Sequence, residues 1–149
     1  MVRLLLDYGA DVNAQGGDYG NALTAAAAEA VVRLLLDHGA DVNAQGGEYG
    51  NALAAAAAAW PGNEAVVRLL LDHGADINAH CGGKYGNALT AAAAQYNDAV
   101  IHLLLDRGAD VVAQCGGKCD SELTEMVSRG NDMVVSYLMS FGSIWENQF

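Results

Sequence analysis

The residues best equipped for chemistry are His80, Cys81, Cys115 and Cys119. Imidazole and thiolate are the donors that hold zinc, and Cys115 and Cys119 flank Gly-Gly-Lys in the run 115–119. No spacing among the four matches a zinc signature. A metal- or redox-responsive module built on these loop cysteines is therefore the alternative function. The preferred reading is that they are variable loop residues, because the corresponding place earlier in the chain holds Gln45-Gly46. The runs "CGGKY" (81–85) and "CGGKC" (115–119) also resemble the end of a phosphate-binding loop. Such a loop needs a Gly five places before its Gly-Lys and a Ser or Thr after it. Those places hold Asn78 and Tyr85 in one run, Val112 and Cys119 in the other, so the phosphate loop is rejected.

His38 and His73 each stand one residue before a Gly, where related segments have Tyr8, Arg107 and Phe141. A donor there meets the unpaired carbonyls of a helix end, and no Ser or Cys nucleophile shares a repeated slot with them. Asp7, Asp37, Asp72 and Asp106 recur once per segment, with Arg3, Arg33 and Arg68 four residues before the first three as expected surface partners. No catalytic residue, cofactor or metal site is assigned, and no enzyme is expected. Tyr19, Tyr49 and Tyr85 are different in kind. They recur beside Gly pairs and are expected to stack as an aromatic stripe, useful at an interface because each ring has a polar end. The competing reading is that each ring packs on the neighbouring loop. The residues before them vary between units, as Asp18, Glu48 and Lys84, with Lys118 in the last loop. Variation within a repeated frame marks partner contact, so the candidate protein-binding residues are Asp18, Tyr19, Glu48, Tyr49, Lys84, Tyr85 and Lys118.

The frame itself is a repeat. "RLLLDYGADVNA", "RLLLDHGADVNA", "RLLLDHGADINA" and "HLLLDRGADVVA" place Gly at 9, 39, 74 and 108, and a worn copy, "SYLMSFGSI", places Gly142. A period near 34 residues signals a solenoid. A second block, "GNALTAAAA" or "GNALAAAAA", begins at Gly20, Gly50 and Gly86, with "DSELTEMVS" from Asp120 as its worn version. Asn21, Asn51, Asn87 and Ser121 fall where a helix N-cap belongs. A short Ala-rich helix follows, then a Leu-rich helix ending at Gly, then a Gly-Gly hairpin tip. One such unit cannot bury its Leu face alone; stacked neighbours can.

This pattern resembles the ankyrin repeat over nearly the whole chain. The resemblance implies an all-α repeat solenoid of stacked helix-turn-helix units with hairpin loops, acting as a protein-protein interaction scaffold through a concave face and its loop tips. The family opens its first helix with Thr-Pro-Leu-His; here Asn-Ala-Leu-Thr or Asn-Ala-Leu-Ala stands instead, so Thr–His bonds between neighbouring units are not expected. The "GGxYGNAL" style is similar to arrays in large multidomain fungal proteins, including sensor arms of signalling NTPases, and implies a part of a larger regulatory protein. The single array divides into a half unit 1–20, an altered unit 21–50, units 51–86 and 87–120, and a C-terminal cap 121–149. The cap is more polar, with Glu122, Glu125, Ser128, Ser136 and Ser140, and Trp145 and Phe149 are expected over its edge. Opening inside a second helix, the chain reads as a segment of a longer array or a shortened gene model, with a natural C-terminus.

The net charge of −11, from 7 basic and 18 acidic residues, leaves no basic stripe for nucleic acid or an anionic membrane. It suits a basic partner protein. No apolar run approaches the roughly 20 residues of a membrane span, and "MVRLLLDYGADVN" is no signal peptide. Three cysteines, an odd number, fit a reducing compartment, cytoplasmic or nuclear. A monomer is expected. Equivalent positions of stacked units should lie about 10 Å apart, too far for a Cys81–Cys115 disulfide, whereas Cys115 and Cys119 can approach.

One unit is short. Leu89 to Val100 and Leu123 to Val134 span 11 positions, Leu53 to Val66 spans 13, and Leu23 to Val31 only 8. Ala is the best helix former and resists left-handed dihedrals. The expectation is one continuous helix from about Ala22 to His38, with a squeezed hairpin as the alternative. A continuous helix would leave residues 1–20 without a docking surface and start the groove at the third unit.

Overall fold

The computed structural model describes residues 1–59, 63–80 and 82–109. These form α1 (Val2–Asp7), α2 (Ala22–Ala25), α3 (Glu29–Asp37), α4 (Ala52–Ala58), α5 (Glu64–Asp72), α6 (Ala88–Ala94) and α7 (Asp98–Asp106). The first helices α2, α4 and α6 open on an asparagine in extended conformation. Its Oδ1 accepts the amide three residues on, from Thr24 at 2.9 Å, Ala54 at 2.8 Å and Thr90 at 2.8 Å. This satisfies a donor that a helix start leaves unpaired. The second helices end at Gly39, Gly74 and Gly108, all left-handed. In the first of these, Gly39 N–H donates to Leu36 and Ala40 N–H to Leu35, both at 3.0 Å, the double closure of a Schellman motif.

First helices pack on first helices, α4 on both α2 and α6, and second helices on second helices, α5 on both α3 and α7. The leucines Leu35, Leu70 and Leu104 are at most 2% exposed and belong to one core cluster. Each unit hides its apolar stripe against the next, as a solenoid requires.

Beyond the second helices, Asp11, Asp41 and Asp76 each accept the amide two residues on, closing tight turns of 2.9, 3.0 and 3.0 Å. The turns aim an asparagine at the following unit. Asn13 donates from Nδ2 to the Gly39 carbonyl at 3.2 Å and accepts at Oδ1 from the Asp41 amide at 2.8 Å. Asn43 does the same to Gly74 and Asp76, at 3.1 and 2.8 Å. Two bonds of ~0.5–1.5 kcal/mol each thus clamp successive units along their loop side.

The expected hairpins reduce to a single antiparallel bridge, Gly46 to Gly50, and no strand is formed among the described residues. Each of the first two tips closes on itself, Gly16 N–H on the Gly20 carbonyl at 2.7 Å and Gly46 N–H on the Gly50 carbonyl at 2.9 Å, and the tips also bond to each other. Glu48 N–H donates to the Asp18 carbonyl and Lys84 N–H to the Glu48 carbonyl, both at 2.7 Å. Neighbouring tips therefore touch backbone to backbone, closer than the ~10 Å spacing of packed helices.

The continuous helix over 22–38 is not formed. The chain breaks at Ala26–Ala28, with Ala26 at φ −76°, ψ 118° and Ala28 at φ −92°, ψ 129°. Both are extended, so the alanines reverse the chain without a left-handed residue. The intact fourth unit uses one, Tyr96 at φ +53°, at a strain of ~1–2 kcal/mol. Stacking overrides propensity. Leu23, Val32 and Leu35 are all buried, each worth ~1.5–3 kcal/mol, and the Asn63 side chain donates to the Ala27 carbonyl at 2.6 Å. A straight helix could not place Leu23 beneath α4 and Leu35 beneath α5 together. The three missing residues come out of the helix and leave the turn intact: α2 has 4 residues where α4 and α6 have 7. Residues 1–20 consequently keep their docking surface. Val2, Leu6 and Val12 pack partly buried against the core.

The expected Arg–Asp pairs are also replaced. Arg33 binds Glu29 at 2.9 Å, and Arg68 binds Glu64. An acid four residues before a base is the better order on a helix. The freed carboxylates reach the next unit: Asp72 takes Arg107 at 3.2 Å, and Asp7 lies 3.7 Å from His38 Nε2.

Candidate functional site

The glycine pairs place the tyrosines. Gly47 has φ +72°, and a Cβ there would come closer than 3.0 Å to the Tyr19–Gly20 peptide. Gly83 lies equally close to the Tyr49–Gly50 peptide. With no side chain between the tips, the rings following them fall into register. Tyr19 and Tyr49 stack with centroids 6.0 Å apart and planes at 16°; Tyr49 and Tyr85 stack at 6.2 Å and 27°. The stripe is formed, each ring packing on the ring of the next tip.

Accessibility falls along the row. Tyr19 is 50% exposed, Tyr49 half-buried, and Tyr85 only 6% exposed, with its hydroxyl 3.1 Å from Gln95 Nε2. Asp18, Glu48 and Lys84 are exposed on the same tips. Lys84 Nζ sits 4.0 Å from the Glu48 carboxylate and 5.3 Å above the Tyr85 ring, so it serves both a surface ion pair and a cation–π contact. Asp18 leaves the Tyr19 end acidic, while Lys84 partly offsets Glu48. Burial, the Glu48 carboxylate and the two flanking phenols raise the Tyr49 pKa above the usual 10.0, against a smaller opposing effect of Lys84. The neutral phenol is the form the fold favours. Stability should be unaffected by this group below pH 10 and fall as pH rises from there through the raised value. Tyrosinate absorbance near 295 nm, followed against pH, should show a late-titrating phenol that Tyr49→Phe removes.

Beside this row lies a feature that the residue types did not announce. Where α2 stops early, Ala25–Ala27 face Ala55, Ala56, Ala58 and Ala59 of the next unit across a cleft of about 210 Å³. The Tyr19 and Tyr49 rings, Thr24 and Asn63 complete its wall. The signal for it was the short interval from Leu23 to Val31.

Other assignments fall into place more simply. The Nδ1 atoms of His38 and His73 lie 2.8 Å from the Leu34 and Leu69 carbonyls, at helix ends as expected. Among the described residues no group of three or more His, Cys, Asp or Glu could hold a metal ion. Cys81, Cys115, Lys118, Cys119 and the cap with Trp145 and Phe149 lie outside the described residues. No helix among the described residues is long and apolar enough to cross a membrane.

The family model for ankyrin repeats, in three copies, matches residues 1–81 and 47–115. No curated relative matches the chain.

Proposed function

The chain belongs to the ankyrin-repeat family, and on that premise we propose that it is a scaffold that binds a basic partner protein through its loop tips and the concave side of its first helices. Ankyrin repeats generally serve as protein-protein interaction modules, typically without catalysis. The observation that carries the finer reading is the tip row: Tyr19 and Tyr49 stacked and accessible, flanked by Asp18 and Glu48, on a backbone locked by inter-unit hydrogen bonds. Stacked rings lose little side-chain freedom on binding, which favours affinity. The net charge of −11 selects for Lys- and Arg-rich surfaces and against phosphate backbones. The array works as one unit from 1–20 through 121–149, as a monomer inside the cell, serving as the recognition arm of a larger regulatory protein.

The test is capture of a partner by the array, its identification, and measurement of its affinity for the native chain and for the triple variant Tyr19→Ala, Glu48→Ala, Tyr49→Ala. Tyr85 is left intact because it is buried. Hot-spot aromatics commonly contribute 2 kcal/mol or more, so a loss of roughly thirtyfold or greater is expected. Equal affinity of a folded triple variant would overturn the assignment.

A further inference from the structure

We infer that the first loop tip, residues 16–20, receives a basic–aromatic–glycine segment of a partner protein, docked as the tips of this chain dock on one another. This rests on reading the tip row as a protein-binding surface and names what its open end recognises. The second and third tips show what one docking step consists of. Glu48 N–H donates to the Asp18 carbonyl and Lys84 N–H to the Glu48 carbonyl, both at 2.7 Å. Gly47 and Gly83 leave room for the peptide group that follows the preceding tyrosine. Tyr49 and Tyr85 each stack on that tyrosine's ring. The residue after the tyrosine must be small as well, because a Cβ on Gly20 would come closer than 3.0 Å to the Gly46 backbone.

The first tip carries the receiving half of each of these contacts. Asp18 N–H meets no acceptor among the described residues. Gly17, the counterpart of Gly47 and Gly83, is exposed, and a Cβ on it would meet nothing within 4 Å. Tyr19 has a ring on one side only and is 50% exposed. The inner tips define what fits there. A carbonyl accepts from Asp18, the next residue lays an aromatic ring on Tyr19, and a glycine follows, as Gly20 follows Tyr19. The carbonyl belongs to a lysine or arginine. Its side chain falls beside the Asp18 carboxylate, which pairs with no cation among the described residues, just as Lys84 falls 4.0 Å from Glu48. Backbone bonds along an open edge give such a segment its affinity, and the side chains give specificity. A second copy of this chain is a poorer occupant. Its own Lys84-Tyr85-Gly86 run is already docked on Glu48 and Tyr49, and two first tips would meet acid to acid.

Titration of the isotope-labelled full chain with the capped peptide Gly-Gly-Lys-Tyr-Gly, followed by amide NMR, tests this. Saturable shifts should centre on residues 16–20, with the Asp18 amide moving most. Replacing the peptide's tyrosine with alanine should weaken binding by about tenfold, from lost ring stacking and burial. Replacing its lysine with glutamate should weaken binding severalfold at low salt, and Asp18→Asn should remove that difference. Gly17→Ala puts a methyl where the incoming peptide group lies and should weaken binding by about tenfold or more; near-ultraviolet circular dichroism establishes that the Tyr19–Tyr49 stack is kept. The proposal is overturned by no saturable shift at residues 16–20 at millimolar peptide, or by equal affinity for the tyrosine and alanine peptides. Unchanged binding by a folded Gly17→Ala chain, or dimerisation of the free chain in sedimentation, would overturn it too. If Gly17→Ala keeps the captured partner while the triple tip variant loses it, the tip row stands and its open end is not the docking site. If the peptide binds at residues 16–20 while the triple variant keeps the partner, the tip row fails as the partner's site and the peptide recognition stands.

Discussion

Replacing Gly47 with alanine should destabilise the array by about 3 kcal/mol or more, at or above the upper end of ordinary single substitutions. Two separate costs add at this position. The left-handed φ of +72° penalises any Cβ by ~1–2 kcal/mol, and the Cβ would also overlap the Tyr19–Gly20 peptide of the preceding tip. The obstacle is backbone rather than a flexible side chain, so it can be relieved only by moving one tip off the other. That movement breaks the Glu48–Asp18 hydrogen bond and parts the Tyr19 and Tyr49 rings. Gly17 is the control, because it has φ +70° with nothing within 4 Å, and Gly17→Ala should show the dihedral cost alone. Urea titration gives both stabilities, and near-ultraviolet circular dichroism reports the ring stack. Equal effects at the two positions would mean that the tips do not interlock.

Leu70→Ala should cost 2–5 kcal/mol, the range for a fully buried leucine that leaves a cavity. Leu70 is 1% exposed on α5, which packs on both α3 and α7. In a stacked array the stability is approximately a sum of unit and neighbour contributions. Damage in the middle therefore weakens two interfaces at once and should split one unfolding transition into two. Leu5→Ala, at a residue 56% exposed, should change stability by less than ~0.5 kcal/mol. Calorimetry that gave one sharp transition and a small loss for Leu70→Ala would contradict the stacked core.

The features read correctly from sequence were those decided within a few residues. Asn21, Asn51 and Asn87 cap because an extended asparagine reaches the amide three places on, whatever surrounds it. Gly39 and Gly74 end helices because the left-handed turn excludes most other residues. The buried leucines followed from the period. What failed was decided between units. Ala26–Ala28 favour helix locally, and only the docking of α2 on α4 and α3 on α5 makes the break preferable. The Gly-Gly loops do turn back on themselves, but their bonds to the neighbouring tip, Glu48 to Asp18 and Lys84 to Glu48, leave no mark in the composition of a single unit. The acidic partners of Arg33 and Arg68 were misassigned because Glu29 and Glu64 lie outside the repeated block from which the pairs were read. The interval from Leu23 to Val31 did announce a change, but not that the helix would be shortened and the turn kept, which is what opens the cleft.

The asparagine clamps have a mechanical consequence. Asn13 reaches the second unit and Asn43 the third, so each of these two clamps spans a single step. Tension applied along the row is borne in series, like links in a chain. Among the described units the weakest link is the step from α1, which keeps no side chain fully buried.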